Sequence, residues 1–279
     1  MPGTECDLYS IERVSEKRGK TMKNNAIKEK IKRGEQVLGA FLGINSPPLV
    51  EMLGYAGFDF VVIDDEHGAF SPSELENIIR TADSVGLVPI VRVSYDPSSI
   101  QKALDRGAKG VQVPMVNTKE EALDVVKRAK FPPYGNRGVS YSTRPARYGK
   151  DSGKPYLDES NENVMIIVHI ETLDAASNFE DIATVPGIDL AFVGSTDLSV
   201  NMGYQLAGAS HPEVQKVINE LFIKGKELDV PIGTVASNSD AANGAFDKGA
   251  KFVCIVLNNV ITTALSDVIS ASKATQSVK

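Results

Sequence analysis

The chain has only two cysteines, Cys6 and Cys254, far apart and in unlike surroundings. That excludes a disulfide framework, and no CxxC pair offers a zinc site. Cys254 lies in the apolar run "FVCIVL" and is expected to be a buried free thiol. A reducing, cytoplasmic setting is therefore the expectation. No apolar run approaches the roughly 18 residues of a membrane span, and the first residues have no signal-peptide core, so no membrane partner is expected. Basic charge is not in excess: 30 Lys and Arg stand against 36 Asp and Glu, a net charge of -6. A nucleic-acid surface would call for a basic stripe, so no nucleic-acid partner is expected. No GxGxxG follows any apolar run, which weakens a dinucleotide-binding reading.

What the chain does have is alternation. Short, β-branched apolar runs fall at 37–43, 58–64, 88–93, 110–115, 164–170, 189–194, 230–235 and 251–257. Near-continuous apolar strands mean burial on both faces, as in parallel sheets. Amphipathic stretches lie between or after them, at 47–56, 72–86, 97–106, 118–129, 172–182, 212–228, 239–248 and 259–273. Ser71, Pro72 and Glu74 form a helix-opening signature, and Gly86, Gly107 and Gly249 stand where helices should stop before the next strand. Eight strands alternating with eight helices are most simply a (β/α)8 barrel, with a doubly wound open sheet as the competitor. Residues 1–21 read as a polar N-terminal extension and 22–279 as the single barrel domain, entered through a short helix. Residues 131–163 show no periodic element, and so long a stretch in a compact domain is usually functional or interfacial.

In this barrel class the chemistry sits at the C-terminal ends of the strands. Those ends carry Asp64-Asp65-Glu66-His67, Arg92, Gln112, His169 with Glu171, and Ser195-Thr196-Asp197. Arg92 shares a strand face with Ile90, and a guanidinium buried there needs an anionic partner. His169 and Glu171, two residues apart, point to the same side. Glu171 and Asp197 end neighbouring strands, and two converging carboxylates are not cheaply ionised together unless a cation joins them. Oxygen donors without thiols favour a hard divalent ion, Mg²⁺ or Mn²⁺, with Co²⁺ a further candidate. Asp197 alone could simply cap a turn; its placement with Glu171, Arg92 and His67 argues for a site. Asp64, three positions before His67, is placed to orient the imidazole as a base. Asp65 reads as outward-facing and Glu66 as a brace of the barrel floor or a neighbouring strand, while His211 reads as structural or a loop contact.

Six pieces in order, "FDFVVIDDEHGAF", "VRV…DP", "GAKGVQVPMVNTKEEA", "FPPYGNRGVS", "IET" and "FVGSTDLSVNMG", resemble the HpcH/HpaI family of class II pyruvate aldolases. Its members include 4-hydroxy-2-oxoheptanedioate, 2-keto-3-deoxyrhamnonate and 2-dehydro-3-deoxyglucarate aldolases. The resemblance spans about residues 25–275. It implies a barrel of the phosphoenolpyruvate/pyruvate type with its eighth helix swapped between subunits, in a hexamer or trimer of dimers. It implies a divalent metal on Glu171 and Asp197, His67 with Asp64 as the catalytic base, and Arg92 on the pyruvate oxygens. Ser195, Thr196 and Asp197 match its carboxylate-binding turn. Arg144 and Tyr148 resemble positions that reach a neighbouring subunit's site. Where the family commonly has glutamine, this chain has His169, a departure that reads either as another hydrogen-bonding group for the substrate or as the mark of a changed reaction.

The implied activity is reversible aldol cleavage of a 2-keto-4-hydroxy acid to pyruvate and an aldehyde, the carboxylates and imidazole serving proton transfer beside an enolate. No lysine sits at a strand end suited to a Schiff base, which disfavours the class I route. Competing readings use the same site as an oxaloacetate decarboxylase or an acyl-CoA lyase, or make the chain a non-catalytic metal-binding relative. The aldehyde pocket is expected in loops that include Ser237 and Asn238.

Overall fold

The computed structural model describes residues 25–272. The polar extension 1–21, Cys6 and the last residue of the expected 259–273 helix lie outside these. Eight parallel strands close into a barrel in the order β1 to β8. They are β1 (Val37–Leu42), β2 (Phe60–Asp64), β3 (Val88–Arg92), β4 (Gly110–Val113), β5 (Met165–Ile170), β6 (Leu190–Val193), β7 (Ile232–Ala236) and β8 (Phe252–Val256). Closure runs through Val37↔Phe252 and Gly39↔Cys254. The open-sheet alternative is thereby excluded.

The helices are α1 (Ala26–Lys32), α2 (Pro47–Ala56), α3 (Pro72–Ser84), α4 (Ser99–Asp105), α5 (Lys119–Ala129) and α6 (Gly153–Asn163). They continue with α7 (Leu173–Ser177), α8 (Phe179–Ala183), α9 (Ser195–Asn201), α10 (Pro212–Glu227), α11 (Ser239–Asp247) and α12 (Leu257–Ala271). The caps follow the sequence. Ser71 and Glu74 make a capping box at α3, and Thr118 and Glu121 make another at α5.

Three elements differ from the expected pattern. The stretch 131–163 contains a 3-10 turn at Arg144–Gly149 and then α6. Helix α6 buries only Tyr156 and Asn161 and has no side-chain cap, so no apolar stripe announced it. The expected 172–182 helix is two short ones broken at Asn178. Helix α9 forms where only polar strand-end residues were visible.

Alternation in the strands separates two cores. Val61, Ile63, Val91, Val111 and Val168 pack outward against the helices. Phe60, Ile90, Ile167, Phe192 and Phe252 fill the barrel, and Ile27 and Ile31 of α1 join this inner cluster. Asn25 donates to the Lys109 and Asn163 carbonyls, and Lys28 pairs with Asp189, fixing α1 in place. Cys254 is a free, fully buried inner residue, and burial pushes its thiol pKa well up. No helix among the described residues is long and apolar enough to cross a membrane.

The inner layer works because large rings face missing side chains. Phe60 stacks on Phe252 at 4.0 Å, and a Cβ on Gly39 would lie 2.2 Å from the Phe60 ring. Gly39→Ala must displace that ring pair, and overpacking of this kind costs about 1–3 kcal/mol. Gly244 of α11 has open space around its Cβ position, and alanine there should gain roughly 0.5–1 kcal/mol of helix stability. Urea unfolding of the two variants should therefore shift in opposite directions; a neutral Gly39→Ala would contradict this packing.

Candidate active site

The strand ends converge on a cavity of about 300 Å³ whose wall includes Asp64, His67, Arg92, His169, Glu171, Ser195, Thr196 and Asp197. These eight expected residues are thus brought together at one mouth. Their mutual contacts differ from expectation in one respect.

Asp64 and Arg92 are register partners at the ends of β2 and β3. Arg92 Nε donates to Asp64 Oδ1 at 2.9 Å and Nη2 to Oδ2 at 2.7 Å, a two-pronged pair. Asp64 Oδ1 also accepts the amides of Glu66 and His67. Asp64 therefore holds the backbone of the "DDEH" turn and faces Arg92, not the His67 imidazole. The imidazole is largely exposed, and its nearest acid is Glu66, at 3.8 Å. The expected Asp64–imidazole contact is corrected on this point: a guanidinium with two parallel donors outcompetes a ring that leaves the strand three residues later.

Glu66 is the residue whose role the sequence left open. Its buried carboxylate lies 3.3 Å from Arg92 Nε. Burial, together with the charges of Glu66, Glu171 and Asp197, pushes the Tyr95 phenol up to about 12. Burial works against the Arg92 charge, but Asp64, Glu66 and Glu171 outweigh it and raise its pKa. The guanidinium also lies 4.9 Å above the Phe41 ring. Its Nη1 makes no hydrogen bond to the described residues. Asp65 spends its amide on the Arg92 carbonyl.

Glu171 is held from two sides. Met115 N donates to Oε1 at 2.7 Å, and His169 Nδ1 meets Oε2 at 2.7 Å. Met115 adopts φ 55°, a left-handed conformation unusual for its side chain. Burial opposes the Glu171 charge, yet the His169 bond, the Met115 amide and Arg92 outweigh it and lower its pKa. His169 stacks on Phe192 and shares its other nitrogen with Gln112. Gly194 is required beside them, because a Cβ there would lie 2.7 Å from Glu171 Oε2.

Asp197 stands in the first turn of α9, and its carboxylate makes no hydrogen bond or ion pair among the described residues. Within the described residues no group of three or more His, Cys, Asp or Glu is arranged as a metal cage. Glu171 and Asp197 nevertheless offer hard oxygen donors to one cavity, and Gly194 keeps clear the space beside Glu171. That set fits a divalent ion that completes its shell with water or substrate.

Other expected residues lie elsewhere. Arg144 pairs with Asp83 of α3, and the Tyr148 hydroxyl accepts from Arg80; neither lines this cavity. Asn238 caps α11, while Ser237 borders an adjoining groove. His211 stacks on Tyr204 and accepts the Glu213 amide at the start of α10.

The HpcH/HpaI aldolase/citrate lyase family model matches residues 37–261. The 2-dehydro-3,6-dideoxy-6-sulfogluconate aldolase of Pseudomonas putida is 36% identical over 226 residues, 81% of this chain and 88% of the relative. The 4-hydroxy-2-oxo-heptane-1,7-dioate aldolase of Shigella sonnei is 32% identical over 252 residues, 88% and 94% of the two chains. Among solved structures, an HpcH/HpaI aldolase/citrate lyase family protein from Burkholderia cenocepacia J2315 has a TM-score of 0.83 at 29% identity. That match covers 88% of this chain and 98% of the other.

Two outcomes follow from these contacts. Arg92→Ala leaves Asp64 and Glu66 buried without their cation, and breaking such a pair costs about 3–5 kcal/mol; urea unfolding should show it, and Arg92→Lys should lose less. Glu171 has a folded-state pKa below its ordinary value, so its ionisation stabilises the fold above the ordinary glutamate range. That contribution is lost as pH falls through the lowered value. The stability gap between the parent and Glu171→Gln should therefore narrow in acid; a gap that widens would contradict the contacts drawn for Glu171.

Proposed function

The chain belongs to the HpcH/HpaI aldolase/citrate lyase family and is a carbon–carbon lyase, and from that premise we propose that it is a divalent-metal-dependent class II pyruvate aldolase. Its substrates in this reading are 2-keto-4-hydroxy acids, cleaved reversibly to pyruvate and an aldehyde. The observation that carries the reading is the convergence of Glu171 and Asp197 on the cavity that also holds Arg92 and His67.

Cleavage removes the proton of the C4 hydroxyl, breaks the C3–C4 bond and leaves the electron pair on the C2 oxygen; the proton then returns to C3. A bound Mg²⁺, Mn²⁺ or Co²⁺ would be held by Glu171 and Asp197 and would supply Lewis-acid stabilisation of that negative charge. Arg92, whose Nε and Nη2 are fixed by Asp64, presents its remaining donors to the same oxygen. His67, exposed in the cavity wall, is free of a fixed partner and moves the proton. The opening residues of α9, Ser195 and Thr196, carry first-turn amides that have no intrahelical acceptor and suit the substrate carboxylate. His169 contributes to substrate binding through Glu171, the group it touches, and Phe41 and Phe192 exclude water from the floor.

The same reading takes α12 across to a second copy. None of its residues is buried, and Val260, Leu265 and Val268 present apolar side chains to solvent. An exposed apolar helix face marks an interaction surface, and the pairing would build a homo-oligomer, a hexamer as trimer of dimers. The loop carrying Arg144 and Tyr148 would then border a neighbour's cavity.

Incubation with pyruvate and Mn²⁺ in D₂O should place deuterium at C3, and a panel of aldehydes should yield aldol products. His67→Gln should slow exchange by roughly 10²–10⁴-fold, the range that general-base catalysis supplies. No exchange and no product across the panel would overturn the aldolase reading. Separately, replacing Leu265 and Val268 by aspartate should shrink the particle in light scattering; an unchanged mass would refute the swapped helix.

A further inference from the structure

Gln112 is an anomaly inside the barrel. It points inward from β4, is fully buried, and lies in register with Arg92 on one side and Ile167 on the other. Its Nε2 lies 2.6 Å from His169 Nε2, while its Oε1 has no partner. A buried, unpaired carbonyl costs stability that a leucine in the same place would not. Something other than packing keeps the amide there.

The contacts above it supply the reason. An ionised carboxylate has only lone pairs to offer, so His169 Nδ1 must carry a proton to bond Glu171 Oε2. With that proton on Nδ1, a ring holding one proton has a lone pair at Nε2, and an amide N–H is its proper partner. Turning the amide over would set Oε1 against Nε2 and demand a second proton on the ring. The observed orientation needs one, and leaves Oε1 as the orphan.

We propose that Gln112 is a positioning residue: by donating to His169 Nε2 it keeps the ring proton on Nδ1 and so holds the Glu171 carboxylate in a single orientation. Gln112, His169 and Glu171 form one line from the barrel interior to the cavity, and the Met115 amide closes the far side of the carboxylate. The lone pairs left over on Glu171 are then directed by protein contacts before any ligand arrives. The link from Gln112 to Glu171 stands on these contacts alone; its effect on cation binding rests on the reading of Glu171 as a ligand.

The test uses the whole protein, ¹⁵N-labelled, without added metal. The His169 ring signals, assigned by their loss in His169→Gln, should show Nδ1 protonated and Nε2 as a hydrogen-bonded acceptor. In Gln112→Leu, with thermal unfolding confirming the fold, the Nε2 signal should move and the second tautomer should appear. Calorimetry should show Mn²⁺ affinity reduced about 10–100-fold, the usual range when a group behind a metal ligand is lost. In a His169→Gln background the Gln112→Leu change should cost little more, because the ring it acts on is gone. Unchanged His169 ring signals in Gln112→Leu, or fully additive losses of affinity, would overturn the proposal. Unaltered Mn²⁺ affinity in Glu171→Gln would instead sink the ligand reading, and the ring spectrum would then decide the Gln112–His169 link by itself.

Discussion

At the mouth of the barrel one guanidinium balances two carboxylates, Asp64 and Glu66. Arg92 ends β3 directly beside Asp64 on β2, and its two-pronged bond to Asp64 fixes both strand ends and the turn that follows. Through Asp64 Oδ1 the same pair holds the amides of Glu66 and His67. Glu66 then closes on Arg92 from the other side. Without the cation these acids would repel one another in a poorly solvated wall, and the turn bearing His67 would lose its anchor. The remaining carboxylates, Glu171 and Asp197, stand across the cavity and are not drawn into this network by direct ion pairs. One is pinned by a backbone amide and an imidazole, the other is left open, and that asymmetry leaves room for a cation between protein and substrate.

The barrel was legible because its strands are buried on both faces. Runs such as "FDFVVI" and "VMIIVHI" have no solvent side to encode, so their apolar continuity identifies parallel strands. Polar residues at their ends then stood out. What could not be read was partner choice. Asp64 lies three residues from His67 in sequence, but Arg92 is its lateral neighbour across the β2–β3 ladder, and cross-strand register is invisible to local spacing. Helix α6 escaped for the opposite reason: "GKPYLDESNEN" covers little and carries no apolar stripe. Gln112 was visible only as a polar strand-end residue; its orphaned carbonyl and its contact with His169 exist only once β4 and β5 are paired.

The glycines mark where chemistry and packing press closest. Gly39 makes way for Phe60 in the floor, and Gly194 makes way for Glu171 at the mouth. A rigid aromatic floor beneath a charged rim gives the low-polarity surroundings in which a few oriented donors act strongly on developing charge. The site's own contacts say how the parts divide: Asp64 orients Arg92, the His67 ring stays exposed, and His169 supports Glu171; the proposed mechanism gives His67 the proton transfer.

The most direct test of this account is a crystal soaked with Mn²⁺ and pyruvate and measured for anomalous scattering. The account predicts one strong peak between the carboxylates of Glu171 and Asp197, with pyruvate oxygens against the same ion and Arg92 beside them. A peak elsewhere in the barrel, or pyruvate seated without an ion between those two carboxylates, would contradict it.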